Sequence, residues 1–207
     1  MRPGPLGVII AGGQSRRFQD SPSSHSYPID KFLAPFGGTT LLGHIIHRAR
    51  KQLPDLMLNV NGDPARVAAY GLDIIGDEVP DAGPLGGILA TMTSAEAQGY
   101  AHIITFSSDS PFFPGDYVAQ LRAVQNMPIA IARSGDKIHP VMGLFAVSLR
   151  QDLAAYLEQG DRRVRGWIAR HSHKEVVWDN KNPDPFFNIN RIEDLEAAEQ
   201  YLSSDFK

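Results

Sequence analysis

This sequence predicts an α/β fold in which a mostly parallel, twisted sheet is covered by helices on both faces. Short apolar runs of strand length alternate with amphipathic stretches of helical period, and glycine or polar turns separate the two kinds. Size agrees: 207 residues, 43% of them apolar, can bury one full core. The expectation is therefore one domain over residues 1–207, with a flexible tail at 1–6.

The first strand runs from Gly7 to Ala11 and breaks into Gly12-Gly13-Gln14-Ser15-Arg16-Arg17-Phe18. The segment from Asp20 to Asp30 is rich in Ser, Pro and His, a composition that does not pack, so a mobile surface loop is expected there. Thr39 or Thr40 can cap a helix to Leu53, because Leu41, Leu42, Ile45, Ile46, Ala49 and Leu53 share one face and Pro54 stops it. Leu56–Val60 then reads as a buried strand, Ala65–Tyr70 as a short helical piece and Leu72–Gly76 as another strand.

Gly83-Pro84-Leu85-Gly86-Gly87 opens a helix to Gln98, and Ala101–Phe106 has the pattern of a central strand. Pro114 suits the first turn of a helix reaching Val124. Ile129–Arg133 and Val141–Val147 read as strands flanking the turn Ser134-Gly135-Asp136, which implies a small antiparallel segment in the second half. Ser148 can cap a helix to Glu158; Arg162–Arg170 and Ile192–Leu202 read as helices, and Glu175–Trp178 as a strand.

A formal net charge of −3, with no run of five like charges, speaks against a nucleic-acid or membrane surface. The absence of cysteine excludes disulfides, thiolate nucleophiles and cysteine zinc sites. No apolar run approaches the roughly 20 residues of a membrane span, and no signal-type stretch precedes the first strand, so the expected location is cytoplasmic.

In such a sheet, ligands lie outside the carboxyl ends of the strands, where Gly12, Asn59, Asp77 and Asp109 all fall. Glycines let backbone N–H groups approach phosphate oxygens, and Arg17 and Lys31 add cations suited to a nucleoside triphosphate. The loop matches neither the dinucleotide fingerprint nor a P-loop, and an ordinary strand-to-loop turn with solvated arginines would look the same. Asp109, at the tip of an apolar strand, suits Mg²⁺ or a turn or cap equally well; Asp77 shares that ambiguity. The Asn59 amide can read a base or ribose, or cap its strand. Asn188 and Asn190 alternate with apolar residues and, on a strand, would face one side together. His139-Pro140 suits an anionic substrate or a plain turn, while Arg165 reads as an exposed helix face and Arg162 and Arg163 stay open between the two. The remaining histidines show no zinc spacing.

The ordered set Ala11-Gly12-Gly13-x-Ser15-x-Arg17, Asp30-Lys31, Asn59-Val60-Asn61, Asp77, Gly83-Pro84-Leu85-Gly86-Gly87, Asp109-Ser110-Pro111, His139-Pro140 and Asn188-Ile189-Asn190 resembles the molybdenum cofactor guanylyltransferase family over nearly the whole chain. Single motifs are shared with nucleotidyltransferases that make nucleotide sugars. The resemblance implies a Rossmann-like fold of the nucleotide-diphospho-sugar transferase type. It implies GTP held by Ile10, Ala11, Gly12, Gly13, Lys31, Asn59, Asp77 and Asp109, with Asp109 also binding Mg²⁺ and Arg17 on the phosphates. Arg17, Lys31 and Asp109 would be the catalytic set; Gly86, His139, Asn188 and Asn190 would face the molybdopterin acceptor. It further implies a monomer making transient contacts with cofactor-synthesis proteins and target molybdoenzymes. The family reaches Asp-Lys within a few residues of the arginine, whereas this chain carries a longer Ser/Pro/His insertion. Cytidylyl transfer to the same cofactor, nucleotide-sugar chemistry and a non-catalytic nucleotide-binding regulator are the alternative expectations.

Overall fold

The computed structural model describes residues 2–11 and 30–204. Gly12, Gly13, Arg17 and all of the expected mobile loop except Asp30 lie outside the described residues.

Among the described residues, seven strands form the main sheet: β1 (Leu6–Ile10), β4 (Leu56–Asn59), β5 (Asp73–Ile75), β6 (His102–Ser107), β7 (Ile129–Ser134), β8 (Lys137–Ala146) and β9 (His173–Trp178). Their order is β5-β4-β1-β6-β8-β7-β9. Parallel pairing joins β5, β4, β1 and β6, and β7 with β9, while β8 runs antiparallel to both neighbours. The expected parallel sheet with an antiparallel segment in its second half is thus observed. A two-residue loop, Gly37-Gly38, joins a small hairpin, β2 (Pro35–Phe36) and β3 (Thr39–Thr40).

Alternation along the strands divides the core in two. Ile9, Leu58, Ile104 and Phe106 face one side, where they meet α1 (Leu41–Arg50), α3 (Tyr117–Arg122) and α6 (Ile192–Ser204). Val8, Ile10, Met57 and Ile103 face the other, against α2 (Pro84–Ala97), α4 (Arg150–Glu158) and α5 (Val164–Ile168). Strand side chains point alternately up and down, so a sheet buried on both faces reads as continuous apolar runs, and these runs made the strands visible in the sequence. Among the described residues, no helix is long and apolar enough to cross a membrane.

Local chemistry sets the boundaries. Thr40 is the cap of α1: its Oγ1 accepts from Gly43 N at 3.0 Å. Ser148 does not cap α4, because residues Val147–Leu149 form a 3₁₀ turn that feeds the helix directly. The helix expected from Pro114 starts at Tyr117, and that expected over Arg162–Arg170 narrows to α5.

The greatest departure is in β8, which begins at Lys137 and so takes in His139-Pro140, expected at a turn. Its register breaks against β7: Ile131 pairs with Gly143, but Ala132 pairs with His139, leaving Pro140, Val141 and Met142 without opposite numbers. Pro140 has no N–H to donate, so the ladder gives way where it stands, and the extra residues bulge out of register. Gly143 closes the bulge tightly: a Cβ there would lie 2.5 Å from the Ala130 carbonyl oxygen and 3.1 Å from Ile131 Cγ2.

Gly143→Ala is therefore expected to cost about 1–3 kcal/mol of unfolding free energy. Gly115→Ala, where nothing lies within 4 Å of the new methyl, should be near neutral. Urea unfolding of both variants checks this, and equal midpoints would contradict it.

Candidate active site

The carboxyl ends of β1 and β6 lie side by side and open on a cavity of about 350 Å³. Ile10 and Ala11 line it with Ser107, Ser108, Asp109 and Ser110; Ile138–Met142, the stretch of β8 that includes the bulge, forms one wall. Lys31, Pro84, Asn188 and Asn190 also line it. Seven of the residues singled out in the sequence, Ile10, Ala11, Lys31, Asp109, His139, Asn188 and Asn190, thus come together from five separate stretches of chain.

Asp109 is the hub. Its Oδ1 accepts from Ser107 Oγ at 2.6 Å, and its Oδ2 pairs with Lys31 Nζ at 3.3 Å. Its backbone oxygen accepts from Ile189 N at 2.8 Å, while the Ile189 carbonyl accepts from Lys31 Nζ at 2.6 Å. Lys31 belongs to a 3₁₀ turn over Lys31–Leu33, pinned by buried Phe32. An ammonium has three donors, and two of them are used in these contacts among the described residues.

Asn188 accepts from Ser110 Oγ at 2.6 Å through Oδ1, which leaves its Nδ2 donors for a ligand. Residues 188–190 form no strand, yet the alternation holds: both asparagines are exposed and Ile189 is fully buried. Asp194 caps the helix that follows, accepting from the backbone N–H groups of Asn190 and Arg191 at 2.8 and 2.9 Å.

Asn59, Asp77 and Gly86 form a second cluster that does not line the cavity but adjoins it, since Ala11 N donates to the Asn59 carbonyl at 2.8 Å. Asn59 is buried, and its Nδ2 donates to Asp77 Oδ1 at 2.9 Å and to the Ile75 carbonyl at 3.3 Å. Its Nδ2 donors are therefore spent within the cluster. Its Oδ1 is buried without a hydrogen-bond partner among the described residues and packs on Gly87, where a Cβ would come within 2.2 Å. A Cβ at Gly86 would fall 2.9 Å from the Asp77 carboxylate. Gly86, which the resemblance assigns to the acceptor side, thus lies against a residue assigned to the nucleotide.

Several contributors had been given no role in the sequence. Asn61 grips Asp77 twice: Nδ2 donates to Oδ2, and Asp77 N donates back to Oδ1, both at 2.8 Å. Ser134, fully buried, sits 2.8 Å from His139 Nε2, and the His139 ring packs on Phe186 with centroids 4.8 Å apart. Of the arginine cluster, Arg162 donates to the Leu157 carbonyl and Arg163 pairs with Asp161, so both serve local structure. Exposed Arg165 reaches the Ile138 carbonyl at the cavity wall.

The family described as MobA-like NTP transferase domain matches residues 7–176. The chain belongs to that family. Among curated relatives of this MobA-like chain, the molybdenum cofactor guanylyltransferase of Nitrobacter hamburgensis is 38% identical over 98% of this chain and 97% of its own. That of Bradyrhizobium sp. (strain ORS 278) is 42% identical over 96% and 93%. The crystal structure of molybdopterin-guanine dinucleotide biosynthesis protein A from Archaeoglobus fulgidus superposes with a TM-score of 0.71 at 19% identity, covering 96% of this chain and 99% of that one. These likenesses place the MobA-like chain among nucleotidyltransferases and agree with its Rossmann-like sheet.

Burial holds the His139 pKa below its ordinary 6.5, a shift reinforced by Lys137 and Arg165 and opposed by Asp184. A histidine depressed in this way is neutral in both the folded and unfolded chain well above pH 6.5; as pH drops through that value the unfolded chain takes up the proton first, so stability is lost as pH falls. An NMR titration of the His139 ring should give a midpoint below 6.5, and His139→Gln should flatten the acid-side loss. A midpoint above 6.5 would contradict the burial argument.

Proposed function

We propose that this chain transfers GMP from GTP to the terminal phosphate of molybdopterin or its molybdenum-loaded form, releasing pyrophosphate. The observation that carries the reading is the Lys31–Asp109 pair at the shared end of β1 and β6, one cation and one carboxylate facing the same cavity. The acceptor phosphate oxygen attacks the α-phosphorus of GTP, a new P–O bond forms, and the bond to the bridging oxygen of the β-phosphate breaks. Such in-line transfer asks the protein for positioning and charge neutralisation.

Lys31 supplies its remaining donor to the triphosphate. Ala11 continues in sequence into Gly12-Gly13 and Arg17, the residues assigned to phosphate binding. Asp77, held by Asn59 and Asn61, serves the nucleoside; His139, Asn188 and Asn190 line the side left for the acceptor. The donor set at Asp109 fits Mg²⁺: the cation takes one or two carboxylates and fills its shell with phosphate oxygens and water, and Ser107 and Ser110 flank this carboxylate with hydroxyls. Bound there, Mg²⁺ supplies charge neutralisation to the phosphates.

Pyrophosphate release from GTP, CTP, ATP and UTP, with and without molybdopterin acceptor, tests the reading. Acceptor-dependent release from GTP is expected, falling at least about 100-fold in kcat in Asp109→Asn while the unfolding midpoint holds. Preference for CTP would reassign the base, and binding without release would make the chain a nucleotide-binding regulator.

A further inference from the structure

Arg66 stands outside the cavity, in the 3₁₀ segment Pro64–Tyr70 after β4, yet its guanidinium joins both clusters of the site. Nη1 pairs with Asp30 Oδ2, next in sequence to Lys31. Nη2 donates to the Asn61 carbonyl at 2.6 Å, and Nε to the Asp63 carbonyl at 3.0 Å. Asn61 in turn holds the Asp77 carboxylate and backbone N–H. A single planar fork therefore connects the turn that presents Lys31 to the loop that presents Asp77. Guanidinium geometry allows this, because its five donors point in fixed, divergent directions, whereas an ammonium acts as one point charge.

The seat is built for the arginine. Gly62 has φ 88°, a left-handed conformation that other residues rarely adopt, and a Cβ there would lie 3.0 Å from Arg66 Nη2. Asp63 caps the segment that carries Arg66, with Oδ1 accepting from Ala65 N at 2.9 Å. Arg66 and Asp30 are only partly exposed, at 31% and 22% of their side chains. No part of this arrangement is needed to fill the core, to which the segment contributes Val67.

We infer that Arg66 is a positioning residue which, through Asp30 and Asn61, sets the spacing between Lys31 and Asp77 and so between the phosphate and nucleoside ends of the bound nucleotide. The functional half of this inference rests on the GTP reading above. It contacts no reacting atom; its effect reaches the nucleotide through two other residues.

Two measurements test it. Amide hydrogen exchange needs no substrate: Arg66→Ala should speed exchange at the Asp77 N–H, which is bonded to Asn61 Oδ1, by about tenfold or more, with amides of β1 and β6 unchanged. Unchanged exchange at Asp77 would overturn the tie whatever the chain catalyses. Kinetics tests the consequence. Arg66→Ala and Asp30→Ala should each raise the KM for GTP about tenfold, leave the acceptor KM alone, and in combination raise it about tenfold rather than a hundredfold, since both break one connection. Arg66→Lys should fall between, keeping the charge opposite Asp30 but losing the Asn61 contact. Additive effects, or equal rises in both KM values, would overturn the positioning role. A wild-type protein that releases no pyrophosphate from GTP would instead refute the functional reading, and the exchange result would still decide the structural tie.

Discussion

Asp109 joins three stretches of chain that the sequence keeps far apart, and the cavity depends on that junction. Its backbone carbonyl receives the Ile189 N–H, its Oδ2 meets Lys31, and its Oδ1 is steadied by Ser107. The loop before α6 and the turn after Asp30 are docked onto the end of β6 by these contacts, and both bring cavity residues with them. A charged hydrogen bond is stronger than a neutral one, and a carboxylate stripped of its partners in a part-buried site is costly. Deleting the Asp109 side chain would leave the Lys31 ammonium and the Ser107 hydroxyl without this acceptor, while the backbone bond to Ile189 N would persist, which is why the isosteric Asn substitution is the informative one.

The second constraint is β8, which runs antiparallel to both of its neighbours in the main sheet. Parallel strands deliver their carboxyl ends to one edge of the sheet, which accounts for Ala11, Asn59 and Asp109 meeting there. A wall for the cavity needs chain running back along that edge. β8 supplies it by running antiparallel and slipping register at Pro140–Met142, so that His139 and Met142 face the opening. Met142 then anchors the wall, its sulfur accepting from Ser107 N at 3.0 Å. His139 is held from behind by Ser134 and Phe186, and burial favours its neutral form.

Those features carried by contiguous apolar runs were legible in the sequence. Ile103–Phe106 announced a central strand, and the polar residues directly after it announced Asp109. Asn188-Ile189-Asn190 was legible as alternation even though no strand forms, because a buried isoleucine between two exposed asparagines has the same period as an edge strand. What stayed hidden depends on pairing between distant segments. The bulge in β8 is a property of its register with β7, and only Pro140 hinted at it. The Arg66–Asp30 contact spans a loop and a turn with no shared periodicity. The β2–β3 hairpin had a usable signal, because Gly37-Gly38 both take positive φ and such a pair between short extended runs marks a tight two-residue turn. Arg165 was read as a solvated face and does prove exposed, but its contact with Ile138 places it at the cavity wall.

The central claim is that one nucleotide spans Lys31 and Asp109 with a divalent cation on the carboxylate. Diffraction from crystals grown with Mn²⁺ and a GTP analogue bearing a methylene bridge between its α- and β-phosphorus tests it directly. The account predicts an anomalous Mn²⁺ peak at Asp109, with the triphosphate within hydrogen-bond reach of Lys31 Nζ and the base on the Asp77 side. A nucleotide bound elsewhere, or one bound in the cavity with Asp109 carrying no metal, would contradict it.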